Sequence, residues 1–266
     1  MRAEEARRRR RRIRLAGGAA VATVIAVAAA IVLAVTGSSG AVGGAPAGLN
    51  LAPLSTLGAT LLPAPAPGAT GPEGVPVPAV APLTGLATAV TGAPVDQISC
   101  QVGEQTLFHI HAHLTIFVNG QARQVPAAIG IPGPQAQQTP DGPFIASGTC
   151  FYWLHTHAPD GIIHIESPVQ RTYTLGEFFD EWGQPLEPGR VGPATGRVVA
   201  LYNGQVYQGN PRNIPLTAHA QIQLDVGTPL IAPQAVTFPA GLLRRTGGIT
   251  ARPALAPPAP ARPGRR

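Results

Sequence analysis

The chain contains no lysine, a single methionine at Met1 and two cysteines among its 266 residues. The lack of a second methionine removes the usual axial ligand of a blue-copper site. Aromatic residues make up only 5% of the chain, whereas it has 32 glycines and 30 prolines. A composition this poor in aromatic residues and rich in glycine and proline indicates that much of the chain does not form a packed core.

Several motifs are also missing. There is no G-x-S-x-G context, no phosphate-binding P-loop and no dinucleotide-binding fingerprint, so nothing supports a serine hydrolase, an NTPase or a dehydrogenase. Positive charge lies at the two ends: residues 1–14 carry eight arginines and residues 232–266 carry six, whereas residues 96–231 have five arginines against ten acidic residues. No aromatic residue interrupts the arginine runs and no nucleic-acid-binding module is recognisable, so we expect no nucleic-acid partner.

Residues 15–35 form an uncharged apolar run, LAGGAAVATVIAVAAAIVLAV. At a rise of about 1.5 Å per residue, this run is long enough to cross the hydrocarbon core of a bilayer as one helix. The arginine-rich segment 1–14 directly precedes it and is expected to stay in the cytoplasm, because positive charge is retained on that side. We therefore predict a single-pass signal anchor in the cell membrane, with the C-terminal domain extracytoplasmic. The alternative is a cleaved signal peptide, whose apolar region is normally shorter.

The rest of the chain divides by composition into three parts. Residues 36–95 consist mainly of alanine, glycine and proline with one charge, Glu73, and are predicted to be a disordered linker. Residues 232–266 have the same character plus arginine and are predicted to be a disordered basic tail. Residues 96–231 contain all seven histidines, both cysteines and both tryptophans. This middle part is the predicted folded domain.

The two cysteines of the predicted domain are Cys100 and Cys150. Disulfides persist in the oxidising conditions outside the cytoplasm, so we predict a bridge between them. Ligation of a metal by the two thiolates is the alternative.

Strand periodicity dominates the predicted domain. Residues 107–118, LFHIHAHLTIFV, alternate strictly, so that the even-numbered apolar residues share one face and the histidines share the other. We expect the apolar face to pack inward and the histidine face to stay outside that core. Asn-Gly pairs at Asn119 with Gly120 and at Asn203 with Gly204 predict two tight hairpins.

A further strand and one short helix complete the predicted fold. Residues 217–226 alternate again and place His219 outward, where it is most simply an exposed strand residue. Thr174 and Glu177 have the spacing of a capping box, and Gly183 is a suitable helix end. The apolar stripe between them consists of Leu175, Phe178, Phe179 and Trp182. The predicted fold class is therefore mostly β: a small antiparallel sandwich or barrel closed at one end by a short helix.

Three histidines, His109, His111 and His113, project from one face of the first strand. Alternate residues on a strand are about 6.6 Å apart, so neighbouring imidazoles can converge on one ion, whereas the outer two, about 13 Å apart, cannot. One histidine of the trio is therefore expected to be spare or to serve a second site.

A second histidine group lies in WLHTHAPDGIIHIES, where a turn at residues 158–161 separates His155 and His157 from His164 and Glu166. A four-residue loop would place His155 opposite His164, whereas a three-residue loop with a bulge would move His164 and Glu166 to the other face. We predict the first register, because it gathers the polar side chains on one face.

Imidazole is the most common protein ligand for transition metals, and clustered histidines on neighbouring strands can form a site of several nitrogens. The predicted ligands are His109, His111, His113, His155, His157 and His164. We expect the metal to be copper or zinc, without deciding between them. Glu166 is predicted to accept a hydrogen bond from an imidazole and so orient it, with direct ligation as the lesser alternative.

Four segments, HIHAHLTIFVNG, VPAAIGI, CFYWLHTHAPDGIIHIESP and TYTLGEFFDEWGQPL, carry a resemblance to other proteins. They are similar to a group of uncharacterised exported or membrane-anchored microbial proteins with an HxHxHL and an HTHxxxGIIHIES pattern. The resemblance covers about half of the chain. It implies an exported location and a histidine-based site at the matching positions, and it implies no particular activity.

Together these features predict a membrane-anchored extracytoplasmic domain that binds copper or zinc for buffering, sensing or delivery. One alternative is a metal-dependent enzyme that activates water or oxygen, with His164 or Glu166 as general base. Another is a metal-free cell-surface interaction module whose histidines meet a partner or sense acid near pH 6. The expected partners are the membrane, the metal ion and an unidentified protein of the cell envelope.

Overall fold

The computed structural model describes residues 48–85 and 92–242. The predicted membrane span, residues 15–35, lies outside the described residues, and so do residues 1–14 and 243–266. None of the described helices is long and apolar enough to span a membrane. The strands are β1 (Leu51–Ala52), β2 (Phe108–Val118), β3 (Gln121–Arg123), β4 (Gln135–Thr139), β5 (Gly142–Ser147), β6 (Leu154–His155), β7 (Ile162–Ser167), β8 (Tyr173–Thr174), β9 (Leu186–Glu187), β10 (Arg190–Val191), β11 (Ala194–Thr195), β12 (Val198–Tyr202), β13 (Gln205–Tyr207), β14 (Pro215–Leu216) and β15 (Gln221–Val226). The α-helix α1 spans Leu175–Trp182, and short 3-10 helices span Leu54–Leu57 and Pro211–Asn213.

An eight-stranded sheet organises the described part of the chain. Its strand order is β1-β13-β12-β15-β2-β7-β6, and β3 also pairs with β2. The prediction of a mostly β fold with one short helix is confirmed, but the sheet is mixed and no barrel closes within the described residues. The sheet is mixed because β15 pairs with β2 in the parallel direction. A parallel pair needs a long crossover, and here about a hundred residues separate the two strands.

Both predicted hairpins are present. The Asn119-Gly120 pair joins β2 to β3, and the Asn203-Gly204 pair joins β12 to β13. All four residues have positive φ angles, between 50° and 79°, as a tight turn that follows the twist of its strands requires.

The predicted helix is also confirmed. The side chain of Thr174 accepts from the backbone N–H of Glu177, whose carboxylate accepts from the backbone of Thr174, and Gly183 ends the helix in the left-handed conformation. The buried apolar residues of the helix are Leu175, Phe178, Phe179 and Trp182. They join the main core, in which they accompany the apolar face of β2 with Ile110, Ala112, Leu114 and Ile116.

The disulfide between Cys100 and Cys150 is formed. Next to it, Gln101 and Phe151 form an isolated antiparallel bridge. The covalent bond therefore fixes the loop that precedes β2 against the segment that leads into β6.

The structure differs from the sequence prediction in the segments expected to be disordered, 36–95 and 232–266. Of these, residues 48–85, 92–95 and 232–242 are described, and parts of them pack on the sheet: β1 pairs with β13, and Val75 and Phe238 are buried against Ile162. The composition of these segments predicted no core of their own. Their scattered apolar residues instead pack against a surface that the folded domain provides.

Candidate metal centre

A row of three histidines crosses three adjacent strands. His111 of β2 lies directly opposite His164 of β7, and His164 in turn lies directly opposite His155 of β6. Residues directly opposite in antiparallel strands project from the same face of the sheet. The predicted register of the turn at residues 158–161 is therefore confirmed.

The histidine face is covered by a second layer of the chain, apart from the main core on the other face of the sheet. Two segments, residues 71–77 and residues 236–242, lie over it, and we call them the cover segments. Val75 from the first and Phe238 from the second pack on Ile162, which shares the histidine face. The sequence did not reveal this second layer because both cover segments belong to the low-complexity parts of the chain.

His155 and His157 form the most deeply buried pair of the face. The Nδ1 atom of His155 lies 2.8 Å from the carbonyl oxygen of Tyr152, and the Nδ1 atom of His157 lies 2.6 Å from that of Ile145. A carbonyl oxygen only accepts, so each Nδ1 carries a hydrogen. The two Nε2 atoms then face each other at 3.1 Å.

Protonation of this pair is disfavoured. Burial lowers the pKa of His155 to about 3 and that of His157 to about 4, because a charged imidazole loses its hydration. Both rings are therefore neutral near pH 7, and both Nε2 atoms present lone pairs without a hydrogen between them. A cation between the two nitrogens would turn this repulsion into attraction. Two imidazole nitrogens bound to one tetrahedral zinc ion lie roughly 3.3 Å apart, close to the spacing found here.

His109 and His111 form a second pair, on β2. His111 donates from Nδ1 to the carbonyl oxygen of Leu242 at 3.0 Å, so its Nε2 atom is the free nitrogen. That atom lies 3.0 Å from the Nε2 atom of His109, which also lies 2.9 Å from the Oε1 atom of Glu166. Burial also lowers the pKa of His111, and the nearby His164 lowers it further. The side chain of His109 is 21% exposed, so this pair is reachable from solvent.

His164 lies between the two pairs. Its ring centroid is 4.5 Å from that of His111 and 4.5 Å from that of His157, and it is nearly perpendicular to both rings. The Nε2 atom of His164 lies 2.6 Å from Oε1 of Glu73, and its Nδ1 atom lies 3.3 Å from Oε1 of Glu166. Burial alone would lower the pKa of His164, but the two carboxylates raise it to about 10. In the metal-free protein His164 is therefore a buried imidazolium that neutralises part of their charge.

Glu166 has the orienting contacts that the sequence predicted. Burial opposes its ionisation, but hydrogen bonds from His109 and His164 reverse that effect and hold its pKa well below the usual range. Its second oxygen, Oε2, is buried and has no hydrogen-bond partner among the described residues. A carboxylate oxygen without a partner in such a place is available to a cation, so direct ligation by Glu166 is compatible with the geometry.

Ligand atoms within 4.8 Å of one another form three overlapping groups in the described part of the chain. The groups are His109, His111, His164 and Glu166; then His155, His157 and His164; and then Glu104, His155 and Glu166. Each of these groups could hold a metal ion. Five of the six predicted histidine ligands and the predicted acceptor Glu166 are therefore brought together.

Two histidines stay outside these groups. His113, a predicted ligand, is buried on the same face, and its Nε2 atom lies 2.9 Å from the carbonyl oxygen of Asp160. It is the spare member of the trio. His219, expected to be an exposed strand residue, is half-buried and precedes β15, with a positive φ of 62° and its Nε2 atom 3.3 Å from the carbonyl oxygen of Leu242.

Sequence reasoning missed two carboxylates of the site. Glu73 comes from the first cover segment, and the only signal for it was its position as the single charge of a long uncharged stretch. Glu104 follows Cys100 in an irregular loop, and its Oε1 atom lies 3.5 Å from Nε2 of His157. Burial and the neighbouring Glu166 raise the pKa of Glu104. No periodicity connects either residue to the histidine strands.

No protein-family model matches this chain, and comparisons with curated proteins and with solved structures give no significant match. The function is therefore inferred from the chemistry of the site. Its distinctive property is the convergence of imidazole nitrogens, with carboxylates beside them, beneath two cover segments.

Proposed function

We propose that this protein binds a transition metal, copper or zinc, through its clustered histidines, in an extracytoplasmic domain anchored by a single membrane span. Its role on this proposal is to buffer, sense or deliver the metal. The location rests on the apolar run at residues 15–35 and on the arginines that precede it. The disulfide between Cys100 and Cys150 supports it, because such bonds persist outside the reducing cytoplasm.

One observation carries the metal assignment. His155 and His157 both donate from Nδ1 to backbone carbonyl oxygens, and their Nε2 lone pairs face each other at 3.1 Å in a buried site. Metal-binding histidines typically use this arrangement, in which the second ring nitrogen is fixed by an outer acceptor while the first binds the ion. Two buried lone pairs that face each other without a hydrogen-bond donor between them destabilise the fold, so a purely structural role does not account for this arrangement.

The donor set favours copper or zinc over calcium or magnesium. Imidazole nitrogen suits zinc and copper, whereas calcium and magnesium take oxygen ligands almost entirely. The oxygens within reach come from Glu104 and Glu166, one for each histidine pair. A mixed nitrogen and oxygen set is compatible with both metals.

The alternative of a metal-free interaction module is not favoured by the structure. The cover segments occupy the face that a partner would have to reach. Glu73 is hydrogen-bonded to His164, and the carbonyl oxygen of Leu242 is hydrogen-bonded to His111. Acid sensing near pH 6 is not favoured either, because burial places the pKa of His155 and His157 at about 3 and about 4. These rings do not change charge near pH 6.

Metal retention tests the proposal. The full chain, purified in detergent and stripped with a chelator, is dialysed against zinc or copper and its metal content is measured by elemental analysis. We expect the wild type to retain metal and a variant with His109, His111, His155 and His157 changed to Gln to retain none. His219→Gln is the matched control, because it removes an imidazole outside the ligand groups, and it should retain metal like the wild type. A wild type that retains no more than the fourfold variant would overturn the proposal.

A further inference from the structure

The ligands of the histidine face are arranged as two separate pairs. His109 with His111 lies on one side of His164, and His155 with His157 lies on the other. Within each pair the Nε2 atoms are 3.0 Å and 3.1 Å apart, respectively. Both distances are close to the separation of two nitrogen ligands bound to one metal ion.

The two pairs are too far apart to serve a single ion together. Two nitrogens bound to one zinc or copper ion can be at most about 4.2 Å apart, since each bond is about 2.1 Å long. Of the described groups of ligand atoms within 4.8 Å of one another, none contains a member of both pairs. One ion in this arrangement would leave one of the two pairs without a cation.

Each histidine pair has a different carboxylate beside it. The Oε1 atom of Glu166 lies 2.9 Å from Nε2 of His109, and the Oε1 atom of Glu104 lies 3.5 Å from Nε2 of His157. The carboxylate side chain of Glu104 is 37% exposed, so the second pair also has a solvent-facing ligand through which an ion could enter. Each pair thus has a carboxylate oxygen beside one of its two Nε2 atoms.

Two residues belong to groups on both sides. His164 is grouped with the first pair and with the second, and Glu166 is grouped with the first pair and also with His155. The Oε2 atom of Glu166 is buried without a hydrogen-bond partner among the described residues. A shared carboxylate is the usual means by which a protein holds two metal ions a few Å apart, because its two oxygens offset the repulsion between the cations.

We infer that the centre holds two transition-metal ions, one bound by His109, His111 and Glu166 and the other by His155 and His157, with Glu104 beside His157 and with Glu166 and His164 between the two ions. This inference rests on the proposed function and adds a second binding site to it. It also explains why the sequence carries two H-x-H pairs on different strands, where a single three-histidine site would need only one pair and one further histidine.

The number of bound ions tests the inference. The chelator-stripped full chain in detergent is titrated with zinc alone and with copper alone, and the ions per chain are measured by native mass spectrometry and elemental analysis. We expect two per chain for the wild type and for His219→Gln. We expect one for His109→Gln with His111→Gln, and one for His155→Gln with His157→Gln. Glutamine keeps an uncharged polar side chain with a hydrogen-bond donor and an acceptor, so it limits the structural cost of the changes.

Electron paramagnetic resonance of the copper-loaded protein gives an independent measurement. Two Cu(II) ions that share Glu166 should broaden and weaken each other's signal, whereas each pair variant should show an uncoupled signal from one ion.

A wild type with one ion per chain, lost from one pair variant and kept by the other, would overturn the two-ion inference and leave the proposed function standing. A wild type with no bound ion would overturn both. Circular dichroism checks that each variant is folded. If a double variant unfolds, the number of bound ions is compared instead between the single variants His111→Gln and His157→Gln.

Discussion

The Oε1 atom of Glu73 accepts a hydrogen bond from Nε2 of His164 at 2.6 Å, although 91 residues separate the two in the chain. The carboxylate side chain is 3% exposed and the imidazole is 8% exposed, so the ion pair is shielded from water. Glu73 thereby fixes the first cover segment over the histidine face. It also occupies a nitrogen that a metal ion could use, so loading of the centre has to displace Glu73 or leave His164 bound to it.

Replacing Glu73 by Gln should destabilise the metal-free protein. The variant leaves the buried imidazolium of His164 with only one carboxylate partner, which should lower the free energy of unfolding by about 1–3 kcal/mol near neutral pH. Urea unfolding of chelator-treated protein measures this quantity. Glu187→Gln, an exposed change on β9, is the matched control and should be nearly neutral. Equal effects of the two changes would contradict the role assigned to Glu73.

Local sequence signals predicted the elements that depend on neighbouring residues. The Asn-Gly hairpins, the capping box of α1 and the alternation in β2 are all set by interactions over a few residues. The opposition of His155 and His164 was also predictable, because only that register gathers the polar side chains of the turn on one face.

The cover segments could not be predicted in the same way. Glu73 and Leu242 reach the histidine face from stretches of proline, alanine and glycine that have no periodicity. Their packing depends on the shape of a surface that β2, β7 and β6 form together. The parallel pairing of β15 with β2 is unpredicted for a similar reason, since it joins strands about a hundred residues apart.

The disulfide between Cys100 and Cys150 should contribute measurable stability. It closes a loop with a sequence separation of 50, and its removal allows a more expanded unfolded chain. Changing both cysteines to Ser should lower the free energy of unfolding by about 2–4 kcal/mol. Reductant should lower the stability of the wild type to that of the variant and leave the variant unaffected. A wild type insensitive to reductant, with its thiols shown by alkylation to be free, would contradict this prediction.

Asp225 should make stability fall as the pH rises from about 4 to about 6. Burial raises the pKa of its carboxyl group to about 6, whereas the same group in the unfolded chain titrates near 3.8. In that window the unfolded state loses its proton first, so ionisation favours unfolding, and above it both states are ionised and the loss is complete. Asp225→Asn cannot ionise. Its stability relative to the wild type should therefore increase by about 2 kcal/mol across the window.

Urea unfolding at several pH values between 3.5 and 7 would measure this difference. Asp141→Asn, the same change in an exposed turn between β4 and β5, is measured beside it as the control. A constant difference for Asp225→Asn would show that its carboxyl group titrates alike in the folded and unfolded chain.

The proposed location predicts a linked effect on membrane binding and oxidation state. The full chain should stay in the membrane pellet after alkaline extraction, and Cys100 and Cys150 should be protected from alkylation until reductant is added. Deleting residues 15–35 should release the protein into the soluble cytoplasmic fraction, where both thiols become reactive because that compartment is reducing. A deletion variant that remains membrane-bound and oxidised would contradict the anchor.

Metal should stabilise the folded state in proportion to its binding. A ligand that binds only the folded chain stabilises it by about 2.7 kcal/mol at a free concentration of 100 times its dissociation constant. The zinc-loaded wild type should therefore have a higher midpoint of thermal unfolding than the chelator-treated protein, and further chelator should reverse the increase. The variant with His109, His111, His155 and His157 changed to Gln should melt at the same temperature with and without zinc. If zinc raised its midpoint as much as that of the wild type, the stabilising ion would lie elsewhere, and the paired Nε2 atoms of His155 and His157 would not be its ligands.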